Sequence, residues 1–180
     1  MAYGKNGAAR GVCLVGFMGA GKTSVGRLLS RRLGWPFTDL DDVIQSQEQR
    51  SIAEIFRQAG EAGFRQAETA ALHKVLAQLA AGPMVLAVGG GAFVQKDNAG
   101  ALRQAGLAVV FLDAAPEELQ NRCAHDRVER PLFRDPNQFR QLYETRRRRY
   151  LEADLLLETG GLTVEEVAFA VARRLGLEEA

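Results

Sequence analysis

Long apolar runs are missing. No stretch of the 180 residues reaches the about 18 that a membrane-spanning helix needs. Gly11–Ala20 is too short for a signal peptide and runs straight into Gly21-Lys22-Thr23. Cysteine is scarce: Cys13 lies in an apolar run, Cys123 in an Arg-rich one, and there is no third. That excludes a disulfide scaffold and a zinc-ligand pattern, and it points to a reduced, cytoplasmic protein. An excess of one charge is lacking too. The formal net charge of +1 argues against a general nucleic-acid or membrane-surface binder. There is no internal repeat, low-complexity tract or linker, so one domain over 1–180 is expected, with a flexible tail at 1–10 and a monomeric state.

What is present suffices for a core, since 47% of residues are hydrophobic and 25% charged. Val12–Val15, Met84–Val88 and Leu107–Leu112 are unbroken apolar runs; Pro36–Asp39 and Leu155–Leu157 read as shorter strands. Between them, Thr23–Leu33, a helix opening at Asp41 or Asp42, a helix capped by Ser51 with Glu54, Glu61–Ala81, Pro116–Arg122, Asn137–Tyr150 and Thr163–Leu175 show helical spacing or capping. Strands apolar throughout, alternating with amphipathic helices, indicate an α/β fold with a parallel sheet covered on both faces. Charge is uneven along the chain. From Arg122 to Arg149 nine Arg face four acids, which suits a small anionic ligand, and Asp126–Pro136 reads as a lid.

Gly16-Phe17-Met18-Gly19-Ala20-Gly21-Lys22-Thr23 matches G-x-x-x-x-G-K-[ST], with a buried strand before it and an amphipathic helix after it. Glycines let backbone N–H groups close on phosphate oxygens, and the helix N-terminus adds positive charge. Lys22 would reach the β- and γ-phosphates and Thr23 would place its hydroxyl on Mg²⁺. Gly19, Ala20, Gly21, Lys22, Thr23 and Ser24 are thus candidate ATP contacts. The base-reading N-K-x-D of GTPases is absent, and Asp97-Asn98-Ala99-Gly100 follows no strand. Asp113 ends an apolar run as the acid of a motor ATPase would, but it also suits the start of the helix at Pro116. Asp39 competes with it for Mg²⁺.

Several further pieces follow in order: Phe37-Thr38-Asp39-Leu40-Asp41, Ile52-Ala53-Glu54-Ile55-Phe56, Gly60-Glu61, Phe64-Arg65-Gln66-Ala67-Glu68, Gly89-Gly90-Gly91, Arg130-Pro131-Leu132, and Arg146 four residues before Tyr150. Beside a full P-loop, this set resembles the shikimate kinase family from about Val12 to about Leu175. The resemblance implies a fold similar to nucleoside monophosphate kinases. That fold has three layers, a central five-stranded parallel sheet flanked by helices, a lid over about 123–137 and a substrate-binding segment over about 41–70. It also implies transfer of the γ-phosphoryl group of ATP to the 3-hydroxyl of shikimate, in aromatic amino acid biosynthesis. A gluconate-type kinase of the same build, or a nucleotide-binding module without transfer, is the alternative.

The spacing of Glu61, Arg65 and Glu68 lets two carboxylates hold one guanidinium on a helix face. A fork fixed in this way suits a bidentate grip on a carboxylate. By the resemblance, Arg65 and Arg146 bind the shikimate carboxylate, and Arg147, Arg148 and Arg149 are left to solvent. Asp41 meets the attacking hydroxyl, Gly89, Gly90 and Gly91 allow close approach, and Arg122 stacks on adenine. The catalytic set is Lys22, Asp41 and the lid's Arg130, whose rivals are Arg127 and Arg134. The expected metal ligands are Thr23 and Asp39, and Asp42 is the expected helix N-cap. The family often has Pro-Leu before the Tyr and a Pro in its C-terminal loop. Here Arg148-Arg149 and Glu158–Thr163 stand instead. His73 and His125 have no matched partner, Trp35 reads as core, and Phe64 is a candidate pocket wall.

Overall fold

The computed structural model describes residues 9–125 and 136–177. Of the expected lid, 126–135 fall outside the described residues, and with them Arg127, Arg130 and Arg134. The apolar runs become β1 (Gly11–Val15), β3 (Met84–Ala87) and β4 (Ala108–Asp113), with β2 (Phe37–Asp39) and β5 (Leu155–Glu158) at the edges. Their order is β2-β3-β1-β4-β5, and every pairing is parallel. In β1, Val12 faces Val85 on one side and Ala108 on the other. Side chains alternate between the two faces of a strand, so β1, β3 and β4, buried at every residue, must be covered on both. The helices supply those layers: α1 (Lys22–Leu33), α2 (Leu40–Glu48), α3 (Ile52–Ala77), α4 (Lys96–Gln104), α5 (Pro116–His125), α6 (Pro136–Tyr150) and α7 (Val164–Leu175).

Local chemistry sets the boundaries. Gly34 ends α1 in the left-handed conformation, φ 66°. Ser51 and Glu54 close a reciprocal capping box, and Thr163 with Glu166 repeats it before α7. The helices read at Ser51 and at Glu61 form one element, α3, broken at Gly60 (φ 66°, ψ −173°). Two expectations need correction. The N-cap of α2 is Asp39, not Asp42, because Asp39 is still extended as β2 ends and its Oδ1 accepts from the Asp41 N–H at 3.2 Å. Trp35 is only partly buried, though it packs against the core; His73, for which no partner was expected, is exposed on α3.

The chain passes from β1 to the outer strand β2, returns to β3, then crosses β1 to reach β4. Loops leaving the carboxyl ends of β1 and β3 therefore diverge, opening the crevice in which such sheets bind ligands.

Candidate active site

The loop from Gly16 to Gly21 turns on glycines for two reasons. Gly19 and Gly21 lie at φ 80° and 81°, where side chains are strained. In addition, a Cβ on Gly19 would fall 2.7 Å from the Leu119 carbonyl oxygen and 2.9 Å from Cys123 Sγ. Gly21 is the N-cap of α1 and supplies no side-chain hydrogen bond, so the first turn of the helix presents its dipole to the crevice. Lys22 curls back over the loop, donating from Nζ to the carbonyls of Gly16 and Phe17 at 3.0 Å each. Thr23 Oγ1 donates to Asp39 Oδ2 at 2.7 Å. Asp39 thus joins the start of α1 to the start of α2.

A cavity of about 880 Å³ begins on this loop. Gly19, Ala20, Gly21, Lys22, Thr23, Ser24, Asp39 and Asp41 are among its lining. Arg122 lines it too; its Nη2 donates to Glu118 Oε1 at 2.5 Å and to the Thr159 carbonyl at 3.4 Å, while Nη1 lies 3.4 Å from the Gly19 carbonyl oxygen. Leu162, Val164 and Val167 border the cavity as well. None of these three stands out in the sequence, where they read only as the cap and apolar face of α7.

Arg65, Glu68 and Arg146 make another part of the lining polar and packed. Arg65 Nη1 donates to Glu68 Oε2 at 2.7 Å and Nη2 to Glu61 Oε1 at 3.3 Å, so the expected two-carboxylate hold is present. It is no surface cluster, since Glu68 is fully buried. Gln95 Nε2 also donates to Glu68 Oε2 at 2.8 Å, while Glu68 Oε1 has no hydrogen-bond partner. Burial pushes the Glu68 carboxyl above its ordinary range; Arg65 pulls it down in part and nearby Asp41 pushes it up further. Arg146 is 8% exposed, over the Phe17 ring at 5.8 Å. Running α6 on through Arg148-Arg149 to Tyr150 therefore does not turn Arg146 away from the cavity. Tyr150, fully buried, donates its hydroxyl to the Gly90 carbonyl, and sequence reasoning gave it no role. Phe64 lines the cavity, stacked on Phe56 at 4.5 Å.

The three glycines after β3 make this convergence possible. A Cβ on Gly89 would lie 2.9 Å from Asp41 Oδ1, one on Gly90 3.4 Å from an Arg146 Nη1, and one on Gly91 2.2–2.4 Å from the Arg65 guanidinium. The close approach here is that of the protein's own charged groups, with Arg65 and Arg146 flanking adjacent residues of one turn.

Asp113, the last residue of β4, turns its side chain to α6. Its carboxylate accepts from Tyr143 Oη at 3.0 Å and from Arg147 Nε and Nη2 at 2.9 and 2.7 Å. Arg147 is accordingly paired although its side chain stays partly exposed, and Arg149 pairs with Glu152. Among the described residues no cluster of three or more His, Cys, Asp or Glu could hold a metal. Mg²⁺ does not need one. It keeps several waters and takes one or two protein oxygens plus phosphate, a demand that the adjoining Thr23 hydroxyl and Asp39 carboxylate fit. No described helix is long and apolar enough to cross a membrane.

A family model described as shikimate kinase matches residues 18–175. The shikimate kinase of Cereibacter sphaeroides is 44% identical over 168 residues, covering 91% of this chain and 81% of the relative. That of Geobacter sulfurreducens is 43% identical over 166 residues, covering 91% and 89%. Among solved structures, the shikimate kinase from Acinetobacter baumannii in complex with shikimate has a TM-score of 0.84 at 35% identity, covering 91% of this chain and 90% of its own. A gluconokinase from Sinorhizobium meliloti, with a TM-score of 0.62 at 20% identity, shares the fold alone.

Proposed function

The chain belongs to the shikimate kinase family, and from that premise we propose that it holds ATP and shikimate together in this cavity and transfers the γ-phosphoryl group to the 3-hydroxyl. The observation that carries the proposal is the meeting of Arg65 and Arg146 at Gly90-Gly91, in the same cavity as the phosphate loop and with Asp41 on its wall. Two forks at adjacent residues suit one planar carboxylate. Asp41 lines the same cavity beside Gly89.

Each residue then has a task. The backbone of 19–24 and the α1 dipole hold the phosphates, and Arg122 packs on the adenine. Thr23 and Asp39 would hold Mg²⁺, which would supply positive charge to offset that of the phosphates. Arg65 and Arg146 fix the acid, and the glycines keep their approach open. The 3-hydroxyl oxygen forms a bond to the γ-phosphorus as the bond to the bridging oxygen of ADP breaks, and the hydroxyl proton passes late to Asp41. The transition state is loose, so alignment counts for more than basicity. Lys22 neutralises phosphate charge, and Arg130, outside the described residues, completes the catalytic set from the lid over 123–137. The segment 41–70 serves as the substrate-binding part of one domain. The enzyme works as a cytoplasmic monomer without nucleic-acid or membrane partners.

Calorimetry of shikimate binding to the wild type and to Arg65→Ala tests the clamp. A loss of at least tenfold is expected, and equal affinities would remove the argument. Phosphorylation of gluconate but not of shikimate in an ADP-release assay would overturn the choice of substrate.

A further inference from the structure

Arg146 and Arg147 are adjacent on α6, and successive helical residues point about 100° apart. Which of them reaches the cavity depends on how the helix is rotated about its own axis. Arg147 takes the other direction, placing Nε and Nη2 at 2.9 and 2.7 Å from Asp113 Oδ2. One turn earlier, Tyr143 donates its hydroxyl to Asp113 Oδ1 at 3.0 Å and lies 3.2 Å from the Ala114 carbonyl oxygen. Asp113 is 5% exposed at the end of β4. Its carbonyl is held in turn by the Thr159 N–H at 2.7 Å and the Thr159 hydroxyl at 2.9 Å. One buried carboxylate thus receives three side-chain bonds from two successive turns of α6, as a key fixes a shaft. Phe17 completes the fit: it meets Phe139 and Tyr143 edge-on at 4.9 and 5.6 Å and lies under Arg146.

We propose that Asp113, acting through Arg147 and Tyr143, is a positioning residue that sets the rotation of α6 and so aims Arg146 at the substrate carboxylate. It does not line the cavity and touches no reactant. The inference rests on the assignment of Arg146 to that carboxylate. Stability alone is a separate matter, because Phe139, Tyr143 and Tyr150 already bury α6 against the core. The carboxylate adds direction: without it, a partly exposed Arg147 has no fixed partner at the sheet and the helix can turn.

Steady-state kinetics on Asp113→Asn, Arg147→Met and their double variant test this, with Arg146→Ala as reference. About a tenfold rise in KM for shikimate is expected from each single variant, one charge-assisted contact being misaligned. KM for ATP should stay within about twofold, and the double variant should be no worse than the worse single one, since both break one link. A folded Asp113→Asn enzyme with unchanged KM for shikimate, or with KM for ATP raised equally, overturns the inference. If Arg146→Ala leaves KM for shikimate unchanged, the clamp and the inference both fall. If Arg146→Ala raises it and Asp113→Asn does not, only the inference falls. Should Asp113→Asn not fold, Tyr143→Phe keeps the ring and removes one donor. A rise of about threefold then supports the link, and no change overturns it.

Discussion

Gly91→Ala isolates the carboxylate clamp with the smallest available change. A methyl carbon there would lie 2.2–2.4 Å from three guanidinium atoms of Arg65, whereas carbon and nitrogen in contact stay about 3.5 Å apart. Gly91 is not among the positive-φ glycines, so alanine suits its backbone and the clash is with one side chain. Arg65 must withdraw by about 1 Å, and its far end is flexible enough for the fold to tolerate this. The hold of Glu68 at 2.7 Å and of Glu61 at 3.3 Å is what resists. A displaced fork loses one charge-assisted bond to the acid, worth about 1.5–3 kcal/mol, or about 10- to 150-fold in affinity. Calorimetry should show shikimate affinity reduced by that factor and binding of a non-hydrolysable ATP analogue unchanged. The melting temperature should stay within a few degrees. Wild-type shikimate affinity in Gly91→Ala would refute the idea that the Arg65 guanidinium, where it now sits, binds the acid.

Three other outcomes follow from the geometry. Asp39→Asn weakens the partner of Thr23, so it should raise the Mg²⁺ concentration for half-maximal rate by about tenfold, while Asp113→Asn leaves that requirement alone; a titration of rate against Mg²⁺ decides it. The Glu166 carboxyl is held below its ordinary value by the Thr163 N–H and hydroxyl, so its stabilisation is present above the ordinary value of 4.5 and is lost as pH falls through the lowered folded value. Melts from pH 7 to 3 should show the deficit of Glu166→Gln closing in that acid window, and a constant deficit would contradict it. Gly26→Ala places a Cβ 2.4 Å from Phe37 Cε2 and should cost about 1–3 kcal/mol by overpacking. Gly100→Ala in α4 meets nothing within 4 Å and should add about 0.5–1 kcal/mol. Urea unfolding of the pair measures both.

Legibility in the sequence followed the range of the interactions. The phosphate loop, the Ser51–Glu54 box and the Glu61–Arg65–Glu68 spacing are local patterns, and each stands in the structure as its spacing implies. The apolar runs announced the parallel sheet because strands covered on both faces need no alternation. The misread residues have distant partners: Asp113 meets Tyr143 and Arg147, 30 and 34 positions on, and Tyr150 reaches Gly90 across 60. Helical periodicity told that four successive Arg diverge, but not which would meet a carboxylate at the end of β4. The N-cap of α2 went to Asp39 over Asp42 because the strand ends one residue before the helix begins, a boundary too fine for propensity.

The central position of β1 has a consequence for how the protein comes into being. Its two hydrogen-bonding neighbours, β3 and β4, begin at Met84 and Ala108, so β1 leaves the ribosome well before its partners, the nearer encoded more than 70 residues later. Contacts that distant are slow to form. The glycine loop at its end gains its shape only when Leu119 and Cys123 have arrived beneath Gly19. During refolding, recovery of nucleotide affinity should therefore trail the appearance of helical signal and mark the closing step of assembly.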